Sequence, residues 1–162
     1  MKTVLSTILV LCVLGSASPA LHAEGAPKGA RADIYNESLD GSKQIAEALE
    51  AAKRGNKHVL LQFGANWCRW CHRLHKLFAS DKAIAEKLKN DYVVVLVDVN
   101  KEHNKDIDTK YGNPTRFGLP VIVVLDSSGK TLTTGDTGKL EEGDHHSPEK
   151  VMAFLEKWAP KR

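Results

Sequence analysis

The sequence has few cysteines and no strong excess of charge. Three cysteines occur in 162 residues, too few for the dense disulfide framework that stabilises many small secreted domains. The 23 basic and 20 acidic side chains are mixed along the chain, so no basic patch indicates a nucleic-acid partner. Hydrophobic residues make up 42% of the chain, which is ordinary for a globular protein, and the length suits one domain.

The sequence also lacks a long apolar run. The most continuous one, residues 4–14, is too short to predict a stable membrane span, and small residues follow it. This pattern is typical of a secretory signal peptide. We predict a signal at residues 1–23, cleaved after Ala23 or, alternatively, after Ala20 or Ala17; an uncleaved N-terminal anchor is the other interpretation. The signal predicts a periplasmic or secreted protein with no stable membrane span after cleavage.

Removing the signal would remove Cys12 and leave Cys68 and Cys71. A disulfide between residues three positions apart closes a very short loop, so it contributes little entropic stabilisation. A redox role explains this pair better than a structural one.

The two cysteines lie at a predicted junction between a strand and a helix. The apolar run 59–63 precedes the motif Cys68-Arg69-Trp70-Cys71, and a helical pattern at 73–78 follows it. The positive end of a helix stabilises a thiolate, and the thiolate is the form that attacks a disulfide. We therefore predict that Cys68 attacks the substrate and that Cys71, one turn further, resolves the mixed disulfide.

Two other interpretations use the same residues. Cys68, Cys71 and His72 form the Cys-x-x-Cys-His string that attaches c-type haem, but small haem proteins are mostly helical and this chain places its most apolar runs in strands. The two cysteines with His72 and His75 could also offer metal ligands. Four ligands along one helical stripe span about 10 Å, too far for a single zinc ion. We predict no metal and no cofactor.

The remaining patterns predict helices and strands in alternation, closed by a hairpin. We expect a flexible segment at 24–39, containing a short strand near 33–38, and one domain at 40–162. Within the domain the predicted helices are 42–54, 73–79, 82–89 and one starting at Ser147-Pro148, and the predicted strands are 58–63, 92–97, 120–125 and 130–134. Residues 92–97 read as a buried central strand. This order predicts an α/β sandwich with a mixed sheet.

Several of these features together resemble the thioredoxin superfamily, and in particular its exported branch with a Trp-Cys-x-Trp-Cys motif. The resemblance rests on residues 63–71, on Leu96-Val97-Asp98-Val99-Asn100, on Tyr111-Gly112 and on Gly118-Leu119-Pro120, and it covers about residues 40–160. It implies a three-layer α/β/α sandwich with a central mixed sheet and a thiol–disulfide oxidoreductase that acts on protein disulfides together with a redox partner.

The resemblance also implies a cis peptide bond at Leu119-Pro120, beside the cysteines. The backbone of Leu119 would then face the active site and pair with an extended substrate segment. In the alternative interpretation Pro120 has no role in the active site and only begins an edge strand. The substrate-binding residues that we predict lie in this turn and around the motif: Trp67, Arg69, Trp70, Leu119 and Pro120.

The chain departs from the family at two positions. Gln62 stands where many members have a buried acid, six residues before the first cysteine, and Val94 stands where the lysine that accompanies the acid is common. An amide cannot relay a proton as a carboxylate can, which leaves His72 and His75 as the nearest bases in the sequence. Without that acid, and with Arg69 present, we expect a more stable Cys68 thiolate and a more oxidising disulfide.

The short segment between residues 98 and 120 has no room for the large helical domain of dedicated disulfide-forming oxidants, and this favours a reductase. The competing hypothesis is a binding or chaperone module in which the two cysteines form only a redox-sensitive clip.

Overall fold

The computed structural model describes residues 31–161. The predicted signal peptide and its cleavage site lie outside these residues. Among the described helices, none has both the length and the apolar character needed to cross a membrane.

Helices and strands alternate through the first half of the domain and give way to hairpins in the second. The helices are α1 (Gly41–Gly55), α2 (Arg69–Ser80), α3 (Lys82–Asp91), α4 (Lys105–Lys110) and α5 (Pro148–Lys157). The strands are β1 (His58–Gly64), β2 (Tyr92–Asp98), β3 (Val121–Leu125), β4 (Thr131–Asp136), β5 (Glu141–Glu142) and β6 (His145–His146). Short 3₁₀ turns occupy Asn100–Glu102, Pro114–Phe117 and Thr137–Leu140.

The main sheet is mixed, with the strand order β2-β1-β3-β4. β1 and β2 are parallel, whereas β1–β3 and β3–β4 are antiparallel. The prediction of a mixed sheet between helices is confirmed. The prediction that residues 92–97 form a central strand is wrong: within residues 31–161, β2 pairs only with β1 and lies at the sheet edge, where Val94 is exposed. An apolar run reports burial of the sheet faces and does not report how many neighbours a strand has.

The sheet buries a different set of side chains on each face, because successive residues of a strand point to opposite sides. Odd-numbered residues of β1, such as Leu61, pack with α1 and Ile107. Even-numbered residues, such as Leu60, pack with α2, α3 and α5. Two helical layers therefore enclose the sheet, which confirms the predicted three-layer α/β/α arrangement.

Aspartate side chains cap the starts of two helices. The Asp40 carboxylate accepts hydrogen bonds from the amides of Ser42 and Lys43 and caps α1, and Asp81 in the same way caps α3. The residue that ends α1 in the left-handed conformation is Asn56.

Two segments differ from the sequence-based expectation. Residues 33–38 form no strand, and this part of the segment expected to be flexible is attached to the domain, because Tyr35 is buried and the amides of Ile34 and Tyr35 bond to Asn66. The small hairpin of β5 and β6 was not predicted. Strands of two residues are too short to show a periodic pattern.

Candidate active site

Cys68 and Cys71 form a disulfide at the start of α2, with Cα atoms 5.3 Å apart. β1 ends at Gly64, and a short turn carries the chain from there to Cys68, the N-cap residue of α2. The strand-to-helix junction predicted from the sequence therefore holds the two cysteines together.

The first turn of α2 provides an electrostatic environment for the Cys68 sulfur. Cys68 Sγ accepts a hydrogen bond of 3.1 Å from the amide of Cys71, and the unpaired amides of a helix start carry partial positive charge. Both effects favour a negative charge on this sulfur after reduction. Cys71 is fully buried whereas Cys68 keeps 4% of its surface exposed, so Cys68 is the more accessible of the two.

The outer side of the disulfide is formed by the residues around the motif. Trp67 is 65% exposed and its indole N–H donates to Asn100 Oδ1 at 3.1 Å. Arg69 is exposed, while Trp70 is half-buried and packs against the group formed by Tyr35 and the two cysteines. Of the three, Trp67 and Arg69 have the exposure that a substrate contact requires.

The other predicted substrate-binding residues reach the same place from a distant part of the sequence. The Leu119-Pro120 peptide bond is cis. Leu119 is half-buried and packs against the Tyr35 and cysteine cluster, and Pro120 is buried. The turn before β3 thus lies beside the disulfide, as the resemblance implied.

The inner side of the disulfide is polar, although it is buried. Gln62 is fully buried and its Nε2 donates to the Tyr35 hydroxyl at 2.6 Å. Burial, and to a smaller extent the Asp98 charge, raise the pKa of Tyr35 far above its usual range, while the hydrogen bond from Gln62 opposes this shift. Tyr35 is therefore a neutral phenol at all working pH values.

Asn66 holds Tyr35 in this position. Its side-chain oxygen accepts hydrogen bonds from the amides of Ile34 and Tyr35, at 3.0 and 2.9 Å, and its side-chain nitrogen donates to the Tyr35 carbonyl at 2.9 Å. Sequence reasoning missed both Asn66 and Tyr35. The one available signal was an amide side chain two residues before the first cysteine, which does not reveal its partner 31 residues away.

His72 and the cysteines have protein partners that differ from those of a haem site. His72 Nε2 lies 2.7 Å from the Asn66 carbonyl oxygen, and the two sulfurs are bonded to each other. His75 is half-buried, and burial together with the neighbouring His72 lowers its pKa. Across residues 31–161, no three His, Cys, Asp or Glu side chains form a cluster suited to a metal ion.

The β5–β6 hairpin packs against the motif from the side. His146 is 3% exposed, and its ring meets Trp70 edge-on with centroids 5.2 Å apart. The guanidinium of Arg73 lies 4.7 Å above the Trp70 ring and reaches Asp144 at 3.4 Å. Burial, Arg73 and His145 lower the pKa of His146 to about 4.

Comparison with known proteins gives a consistent result. A family model described as thioredoxin-like matches residues 40–127. The structure of a disulphide isomerase from Xylella fastidiosa Temecula1 superposes with a TM-score of 0.69 at 34% identity, over 76% of this chain and 95% of that one. The reduced C-terminal domain of DsbD from Neisseria meningitidis superposes with a TM-score of 0.53 at 20% identity, over 74% of this chain and 96% of that one, and supports the fold alone.

Among curated proteins, the thiol:disulfide interchange protein DsbD of Vibrio vulnificus is 27% identical over 135 residues. The match covers 82% of this chain and 22% of that protein. The chain thus spans about a fifth of the length of this relative.

Proposed function

Since this chain belongs to the thioredoxin-like family and carries a redox-active Cys-x-x-Cys pair, we propose that it is a thiol–disulfide oxidoreductase acting on protein disulfides in the periplasm or outside the cell. The observation that carries the proposal is the Cys68–Cys71 disulfide at the start of α2, next to exposed Trp67 and the turn at Leu119. The names of the isomerase and interchange proteins to which the chain is similar support the same class of reaction.

The proposed reaction has two exchange steps. The Cys68 thiolate attacks a substrate disulfide, forms a mixed disulfide and releases one substrate thiolate, which takes up a proton. Cys71, as a thiolate, then attacks Cys68 Sγ, the bond to the substrate breaks, and the second substrate thiolate leaves. The substrate gains two electrons and two protons, and the protein gains the Cys68–Cys71 disulfide. A redox partner returns the two electrons.

The substrate meets the outer side of the disulfide. Trp67 supplies an exposed aromatic surface, Arg69 a positive charge, and the turn at Leu119 and Pro120 a backbone segment beside Cys68. Trp70 contributes to this surface through its exposed part. We propose residues 1–23 as the export signal and residues 40–162 as the catalytic domain, with the segment around Tyr35 as an addition to its active site.

The direction that we favour is reduction of substrates, for which an insulin-reduction assay is the direct test. The reduced protein should precipitate insulin chains catalytically in the presence of dithiothreitol, and the Cys68→Ser variant should not. A redox-sensitive clip without catalytic function would give the same rate as its cysteine variant.

A further inference from the structure

The Tyr35 hydroxyl and the Cys71 sulfur meet at Gly64. A Cβ atom placed on Gly64 would overlap both the hydroxyl oxygen of Tyr35 and Cys71 Sγ. The Tyr35 hydroxyl and Cys71 Sγ therefore both pack against the Gly64 backbone, and any residue with a Cβ atom at position 64 would displace them. The contact joins the resolving cysteine to a residue outside the strands and helices of the domain.

The hydrogen bonds leave the proton of Tyr35 available. The phenol oxygen accepts from Gln62 Nε2 at 2.6 Å, and a phenol donates one hydrogen bond as well. Within residues 31–161, the hydrogen bond of the Tyr35 hydroxyl is the one it accepts from Gln62, and none has this hydroxyl as donor. The amide oxygen of Gln62 is buried and has no hydrogen-bond partner in the described part of the chain. With Nε2 of the same amide donating to the Tyr35 oxygen, Gln62 does not accept from that hydroxyl.

We propose that the Tyr35 hydroxyl donates a hydrogen bond to the Cys71 sulfur once the disulfide is reduced, and that it thereby assists the resolving step in place of the buried acid absent at Gln62. A hydrogen bond to the charged form favours that form, so Tyr35 increases the fraction of Cys71 present as thiolate. The inference rests on the proposed oxidoreductase function.

Tyr35 donates a hydrogen bond but does not consume the proton of Cys71. In the resolving step the S–H bond of Cys71 breaks, a new S–S bond forms to Cys68, and the bond between Cys68 and the substrate breaks. The departing substrate thiolate ends with the proton, delivered through solvent. Tyr35 keeps its own proton throughout, in agreement with its raised pKa.

Three other ionisable groups surround this contact and belong in any account of its pH dependence. Asp98, at the end of β2, is buried and interacts electrostatically with Tyr35. Its Oδ2 accepts from His103 Nδ1 at 2.9 Å, while Oδ1 has no hydrogen-bond partner within the described part of the chain. His72 follows Cys71 directly and lies against the Asn66 carbonyl oxygen. Gln62 Oε1 is a second buried oxygen without a hydrogen-bond partner in the described part of the chain.

The experiment separates the two exchange steps with Ellman's disulfide. Attack of Cys68 on this reagent releases one thionitrobenzoate, and resolution by Cys71 releases the second. In stopped-flow mixing across pH, Tyr35→Phe should leave the first release within twofold of wild type. The rate of the second release rises with pH as Cys71 ionises, and the midpoint of this rise should be about one pH unit higher in Tyr35→Phe. Below the midpoint the second release should be roughly tenfold slower, which is the effect of losing one hydrogen bond to a charged group.

Tyr92→Phe is the matched control, because it removes another buried hydroxyl whose hydrogen bond, to the Leu155 carbonyl, lies in the opposite part of the domain. It should leave both releases unchanged. Should Tyr35→Phe fold poorly, Tyr35→3-fluorotyrosine keeps the hydroxyl and makes it a stronger donor, and the midpoint should then move downward.

Each outcome decides one hypothesis. Absence of the first release in the wild type would contradict the proposed function itself. A normal first release with an unchanged second midpoint in Tyr35→Phe would overturn the inference alone.

Discussion

The two sides of the Cys68–Cys71 disulfide differ in exposure and in chemistry. The outer side is formed by Trp67 and Arg69, both exposed and close to the cysteines in sequence. The inner side is formed by Gln62 and Tyr35, which are buried and hydrogen-bonded to each other. We propose that the outer side selects what is attacked and that the inner side acts on the sulfurs themselves. Substitutions on the two sides should therefore change different measurements.

The largest effect concerns the cysteines, where the two sides meet. Cys71→Ser should accumulate mixed disulfides through Cys68, because the more accessible of the two sulfurs still attacks and no thiolate resolves the product. Cys68→Ser should form none, since Cys71 is fully buried. Non-reducing gels and mass spectrometry of trapped complexes measure both. Trapping by Cys68→Ser instead would reverse the two roles.

A charge on the inner side should shift the redox potential. Gln62→Asp introduces a carboxylate that opposes further negative charge and raises the pKa of the thiols, so the disulfide becomes less oxidising. For a two-electron couple, a decrease of about 30 mV in the redox potential corresponds to about 1.4 kcal/mol in the free energy of reducing the disulfide. Gln62→Asn shortens the side chain by the same amount as Gln62→Asp but adds no charge, so it should shift the potential less than Gln62→Asp does. Equal potentials for the two variants in glutathione equilibration would show that the charge at position 62 does not reach the sulfurs.

These two predictions could be framed from sequence because the residues involved lie within one local motif. The apolar run of β1, the N-cap position of Cys68 and the amphipathic pattern of α2 are properties of consecutive residues, so sequence patterns report them. The turn at Leu119-Pro120 was placed by its resemblance to a known family. The fold class followed from the order of these elements.

The inner side could not be predicted in the same way. Tyr35 lies in an irregular segment with no periodic pattern. Its amide bonds to Asn66, 31 positions away, and this places its hydroxyl against Gln62. The β5–β6 hairpin was missed for a related reason, since four paired residues depend on tertiary packing against α2. Long-range polar contacts leave no signature in a single sequence.

His146 extends the buried environment to the flank of the motif and should make stability depend on pH. Its folded pKa of about 4 is lower than the ordinary histidine value. The unfolded chain therefore binds the proton more readily, and the stability contributed by neutral His146 is lost as pH falls from about 6.5 towards 4. Between these values the free energy of unfolding should fall by roughly 2 kcal/mol.

Chemical denaturation of the wild type and His146→Phe at pH 7 and pH 5 measures this contribution. The variant keeps an aromatic ring against Trp70 and removes the titrating group, so it should lose less stability on acidification. His145→Phe, an exposed neighbour in the same hairpin, is the control and should stay much closer to the wild type, because His145 is the smallest of the three causes that lower the pKa of His146. Equal pH dependence in all three proteins would contradict the assignment to His146.

The smallest effect is expected on the outer side. Trp67→Ala removes an exposed aromatic surface, so the KM for a protein substrate should rise by roughly threefold to tenfold while the redox potential stays unchanged. Val94→Ala, which alters an exposed apolar side chain on the edge strand, should change neither. A shift in potential for Trp67→Ala would break the separation between the two sides.

The redox potential of the Cys68–Cys71 pair tests the central claim most directly. Equilibration with glutathione buffers should give one reversible two-electron transition, with a potential between about −270 mV, the value for thioredoxin, and about −120 mV, the value for a strong oxidant of this fold. Thioredoxin, glutaredoxins and protein disulfide isomerase have potentials in this range. A disulfide that resists reduction to below about −300 mV, as structural disulfides do, would contradict the account and leave the pair as a clip.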